Sequence, residues 1–146
     1  MTTANDIITR TAEIRDKYEQ WWRNPDAQQE LKAIWGDTIN DSGVFVNAEK
    51  EILFNRDGYK AEISIGSGCG LFTFGCGYQY PTGGCGSAPS IWDEMFESHG
   101  QARTAAIRYL VKKMPEKFYP HENHLQGKMD RMRQTLLGML NQPSLF

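Results

Sequence analysis

From Thr3 to Arg23 the apolar residues Ile7, Ile14, Tyr18 and Trp21 recur at intervals of seven, four and three, the stripe that an amphipathic helix buries. Thr3 with Asp6 three places on fits a capping box in which Asp stands where Glu or Gln is more usual. Asn24-Pro25 interrupts the stripe and restarts it, because Asn caps well and Pro suits the first helical position. A second helix therefore runs through Ala27, Leu31, Ile34 and Trp35 and stops at Gly36. The period then drops to two. Val44-Phe45-Val46 and Ile52-Leu53-Phe54 read as strands, and Asn55-Arg56-Asp57-Gly58 reads as a tight hairpin turn. Tyr59, Ala61, Ile63 and Ile65 alternate with Lys60, Glu62, Ser64 and Gly66, which predicts a strand with one apolar and one wet face. In the next strand, Leu71 to Tyr80, Phe72, Phe74, Cys76, Tyr78 and Tyr80 share one face and Leu71, Thr73, Gly75, Gly77 and Gln79 the other.

The Gly and Pro content of Pro81 to Pro89 predicts an irregular loop. Ser98 with Gln101 three places on opens a third helix, whose buried stripe is Ala102, Ala105, Ala106, Tyr109, Leu110 and Met114 and which Pro115 closes. A last helix reads from about Asn123 to Leu140 through Leu125, Met129, Met132, Leu136, Met139 and Leu140. The order predicts one α+β domain over 1–146: two N-terminal helices, a three- or four-stranded antiparallel meander and two C-terminal helices.

The bulk composition changes this picture little. The 146 residues are 40% apolar and 23% charged, as in an ordinary globular protein, and no run approaches the length of a membrane span. The start, Met1 to Asp6, lacks the basic and apolar parts of an export signal, so the expectation is a cytoplasmic protein that does not enter a membrane. Three cysteines cannot all pair in one chain, and cytosolic thiols stay reduced. The charge is distributed unevenly. Residues 1–97 carry 8 basic and 15 acidic side chains, while residues 98–146 carry 8 and 3, so a net charge of −2 conceals −7 and +5. Either the two parts pack together and their fields cancel, or the basic part offers a surface to a polyanion.

Gly-Cys-Gly occurs three times, at Cys69, Cys76 and Cys85. Three thiols in so short a stretch raise a zinc site, with His99, His121 or His124 to complete it, yet structural zinc knuckles take ligands two to four residues apart and these stand six and eight apart. The alternative is that cysteine serves as a small apolar residue and the glycines admit close packing. No spacing selects a Cys–His nucleophile pair, no glycine loop leads into Gly-Lys-Ser/Thr, and Asp93-Glu94 implies no partner base. The expectation is a protein without catalysis, cofactor or metal.

Two features suit macromolecular partners. The aromatic face of Phe72, Phe74, Tyr78 and Tyr80 is either a platform for stacking bases or the core against which helices one and three pack. Under the second reading the Gly75 and Gly77 face lies open. The basic residues Arg108, Lys112, Lys113, Lys128 and Arg131 spread over the last two helices and would make phosphate contacts if several point one way.

Gly77-Tyr78-Gln79-Tyr80-Pro81-Thr82-Gly83-Gly84, Ser90-Ile91-Trp92, Phe96-Glu97-Ser98, Gln101-Ala102 and Ala105-Ala106-Ile107 together resemble small strand-loop-helix modules of phage and plasmid accessory proteins. The resemblance implies a mobile-element protein in a bacterial cytosol that binds host machinery, inhibitors of host defence systems included. The expected contact residues are Tyr80, Thr82, Ser90 and Trp92, with the glycine-rich loop adaptable and Trp92 as anchor. Nucleic-acid binding by the basic helices and a zinc-binding domain are the alternatives, and the methionines of the last helix would also suit a homodimer.

Overall fold

The structure, a computed structural model, describes residues 3–140. Helix α1 spans Ala4–Lys17 behind the complete capping box: Thr3 Oγ1 accepts from the Asp6 amide and Asp6 Oδ2 from the Thr3 amide, both at 3.1 Å. It ends sooner than its stripe predicts, because the chain turns at Gln20 (φ 49°) into a 3-10 turn, Trp21–Arg23. Helix α2, Pro25–Trp35, starts as expected on the Asn24 cap and stops at Gly36. Trp35 ties the two together, its Nε1 donating to Thr11 Oγ1 at 3.1 Å while Thr11 donates to the Ile7 carbonyl.

Four antiparallel strands follow in the order β1 (Glu49–Arg56), β2 (Tyr59–Gly68), β3 (Leu71–Tyr80) and β4 (Gly83–Gly86). Both long hairpins use two-residue turns with positive φ at each position, Asp57-Gly58 and Cys69-Gly70. The fourth strand is not the one the alternation suggests. Val44–Val46 makes only isolated bridges, Val44 to Ser90 and Phe45 to Ile39, whereas the stretch read as an irregular loop supplies β4. Helix α3 (His99–Lys113) begins on Ser98, whose Oγ accepts from the Gln101 amide. Gln101 Oε1 reaches the Glu97 amide instead of that of Ser98, so the box is half closed. A 3-10 stretch, Pro120–Leu125, leads into α4 (Gln126–Leu140).

The register places Ala61, Ile63, Ile65, Phe74, Cys76 and Tyr78 on one face, and α3 and α4 bury it with Ala106, Ile107, Leu110, Met129, Met132 and Leu136. The aromatic strand face is therefore core, and its cover is α3 with α4, not α1 with α3. Phe74 lies against Phe96 and Tyr109, and Tyr80 against Phe118. Met129 and Met132 are spent inside their own chain. A second apolar cluster on the other face joins α1 and α2 to the sheet through Ile7, Ile14, Leu31, Trp35, Phe45, Leu71 and Ile91.

Candidate functional site: a glycine-floored trough

The wet face of the sheet carries Lys60, Glu62, Ser64 and Gly66 on β2, and Thr73, Gly75, Gly77 and Gln79 on β3. Its two ends differ. At the end bearing the Cys69-Gly70 turn, the N-terminal helices and the segment after β4 press onto the glycines. The Phe45 ring lies so close to Gly66 that a Cβ there would come within 2.6 Å of the Phe45 Cβ, and the Ser87–Pro89 backbone crosses Gly75. Thr73 Oγ1 donates to the Glu94 carbonyl at 2.8 Å, and Phe72 and Phe96 exchange two backbone hydrogen bonds, which fixes the rest of that segment.

Towards the Asp57-Gly58 turn none of the described residues covers the face. Two hollows of about 350 and 500 Å³ open there and share Glu62, Gly77 and Gly86 in their linings, so they form one trough. The floor is Gly77, with the Lys60–Glu62 ion pair (3.6 Å) beside it; one wall is Phe45 to Ala48, the other Gly83 to Pro89. Val46 is 62% exposed on the wall, and Ile52, which pairs with Glu62 and so shares this face, is 57% exposed. Of the expected open pair, Gly77 is half-buried at the floor of the trough beside β4, and Gly75 is covered.

The outer wall is an unpaired sheet edge. The Ser87 amide donates to the Cys76 carbonyl, so that pair faces inward, and the alternation of an antiparallel ladder turns Cys85 and Gly83 towards β3 as well. The amides and carbonyls of Gly84 and Gly86 consequently point away from the sheet. Both glycines are exposed and neither has a side chain to screen those groups.

The four residues expected to make contact do not form one patch. Thr82 is exposed in the β3–β4 turn, and Tyr80 packs on the other face between Tyr78 and Phe118. Ser90 accepts from the Trp92 amide and holds Asp93 Oδ2 through its own amide and hydroxyl. Trp92 turns inward. Its ring lies 4.3 Å from that of Trp21, Arg15 stands over it, and its Nε1 donates to the Ser42 carbonyl at 3.1 Å. The sequence points to the Gly77 face and the glycine-rich stretch, but not to how they are built: Gly84 and Gly86 carry no periodic signal of a strand, and Val46, whose pattern is that of a strand, forms the opposite wall.

The thiols do not converge either. Cys69 sits in a turn and donates to the Ile34 carbonyl, Cys76 is buried under α3 and α4, and Cys85 is exposed on β4. Among the described residues no three His, Cys, Asp or Glu side chains are grouped as metal ligands. Burial, reinforced by neighbouring Cys85, pushes the Cys76 thiol up to about 11, as befits a small apolar residue.

Arg108, Lys112, Lys113, Lys128 and Arg131 are all exposed on the helical layer, the side of the sheet opposite the trough. Arg103 and Arg133 are not available there: Arg103 grips Glu51 through two bonds of 2.9 and 2.8 Å, and Arg133 binds Asp130 and the Met114 and Pro115 carbonyls. The Arg103 guanidinium holds the Glu51 carboxyl below its usual range. No described helix is long and apolar enough to cross a membrane. No protein family, curated protein or solved structure matches the chain.

Proposed function

We propose that the protein is a binding module without chemistry of its own, and that its partner is a protein that lays an extended segment along the outer edge of β4 as a further strand, with side chains reaching over that edge into the trough. The observation that carries this reading is the outward edge of Gly84 and Gly86. Two residues offer two donors and two acceptors in strand spacing, with no charge, proline or bulge to repel a partner. Main-chain bonds of this kind supply affinity, and selectivity comes from pockets for alternate side chains. The hollow lined by Val46, Ala48 and Pro89 is such a pocket for a small apolar side chain, with Lys60 and Glu62 next to it for a polar one. The mobile-element setting, with a host protein as partner and a defence system as its target, rests on the resemblance over Gly77 to Ile107.

Gly86→Pro tests the reading. The amide it removes points outward, so the ladder to β3 is kept and proline suits an edge strand of this kind. Affinity purification from a bacterial host should recover a stoichiometric partner with the wild-type chain and lose it with Gly86→Pro, at unchanged circular dichroism. Recovery of the same partner by the folded variant would show that β4 is not the contact.

A further inference from the structure

The charge split along the chain becomes a split in space. Helix α3 starts beside Phe72, where His99 lies 6.3 Å from the ring, and runs along β3 until Phe118 meets Tyr80, at the strand's other end, at 5.6 Å. Lys128, in the first turn of α4, reaches Asp57 in the β1–β2 turn at 3.7 Å. The C-terminal end of α3, the stretch to Leu125 and the start of α4 thus gather at one end of the molecule, around the Asp57-Gly58 turn. The unbalanced acids of the first part, Asp37 and Asp41 after α2 and Asp93, Glu94 and Glu97 after β4, lie towards the other end.

The fields at the basic end do not cancel. Lys112, Lys113, Lys117 and Arg131 are exposed and form no ion pair among the described residues. Of the acids nearby, Asp57 is taken by Lys128 and Asp130 by Arg133, which leaves Glu116 and Glu122 against them. Aromatic rings stand among these cations. Tyr119 is 74% exposed, two residues from Lys117, with its ring parallel to that of His121 at 5.9 Å, and Tyr109 lies under Lys113 Nζ at 5.5 Å. An aromatic ring so exposed beside unpaired cations is the combination that tracks a phosphate backbone and stacks a base.

We infer that this end of the molecule, centred on Lys112, Lys113, Lys117, Arg131 and Tyr119, binds single-stranded nucleic acid. The site is independent of the trough, from which the sheet separates it. Phosphates supply charge complementarity, and the sheet's own aromatics, buried under α3 and α4, take no part. A backbone-driven complex loses affinity with salt at a slope of about −0.7 in log–log form per phosphate neutralised, so four cations give a slope of about −3.

Fluorescence anisotropy with an oligonucleotide of about 16 residues, single-stranded and as its duplex, between about 50 and 200 mM salt, tests it. Wild type should bind the single strand with that salt slope. The triple reversal Lys112→Glu, Lys113→Glu, Lys117→Glu should weaken binding about a hundredfold, and Tyr119→Ala should weaken the single strand about tenfold and the duplex hardly at all. Gly86→Pro should change neither. All these side chains are exposed, and a thermal melt confirms that each variant is folded. No binding at low salt, or binding that survives the triple reversal, overturns the proposal. Equal affinity for duplex with no effect of Tyr119→Ala overturns its single-strand form, and binding to phosphatidylserine vesicles but to no oligonucleotide replaces it with a membrane surface.

Discussion

The two ends of the wet sheet face are made from the same residue and behave in opposite ways. At one end the absence of a side chain is filled by other parts of the chain: Phe45 descends onto Gly66, and the Ser87–Pro89 backbone crosses Gly75. At the other, Gly77 and Gly84 let β3 and β4 lie close together, and Gly86 faces a hollow that no described side chain fills. A glycine in a strand is therefore ambiguous until its neighbours are known. It is either a socket for the protein's own backbone or a place kept bare for another's.

Substitution should separate the two kinds sharply. A Cβ at Gly75 would fall on the Ser87 carbonyl oxygen, and backbone on both sides cannot yield, so Gly75→Ala is expected to cost about 3 kcal/mol in a urea melt. At Gly86 the nearest atom to an added Cβ is the Cys76 carbonyl oxygen at 3.8 Å, an ordinary contact, and Gly86→Ala should leave the midpoint where it was. Similar losses at both positions would erase the distinction.

Trp92 draws the comparison finer, because it belongs to the filled end although the sequence suggests a surface anchor. Trp92→Ala removes the contact with Trp21, the Arg15 stack and the bond to Ser42, and should cost about 2 kcal/mol in the same melt, with partner capture retained by the fraction that is folded. Capture lost from a fully folded variant would move the contact surface to Trp92. The smallest effect is on thiol reactivity. Cys85 on the bare edge should be alkylated first and Cys69, raised by burial and donating to Ile34, more slowly. Cys76 holds its proton until the pH approaches about 11, well above the ordinary 9.0, and should react at pH 8 only on unfolding. Its neutral form stabilises the fold below pH 9, a contribution lost as the pH rises from there to about 11. Mass spectrometry of timed iodoacetamide quenches gives the order, and rapid labelling of native Cys76 would contradict the packing described.

Much of this architecture is legible in the chain. Caps at Thr3, Asn24 and Ser98, the Asp57-Gly58 turn and the alternation in β2 and β3 are local signals, and local chemistry decides them. What escapes the sequence is decided at a distance. Pro81 to Pro89 has the composition of a loop, yet Gly83–Gly86 is a strand because the edge of β3 offers it a ladder. Val44-Phe45-Val46 has the pattern of a strand, yet Phe45 is drawn down onto Gly66, and Asn47 ties the segment to the Ser67 carbonyl. The stretch from Gly83 to Trp92 does hold a wall of the candidate site, but the residues with conspicuous side chains turn away from it and the inconspicuous ones form it.

The bare edge of β4 also bears on how two copies of the chain meet. Two identical molecules can align these edges as readily as one molecule can receive a guest, and no lysine or proline stands guard. The brevity of the strand limits this: with only Gly84 and Gly86 facing outward, two copies gain few bonds from their edges alone, whereas a guest strand also gains from the side-chain pocket of the trough. Lengthening β4 by even two apolar residues would convert a transient collision into a closed edge-to-edge dimer.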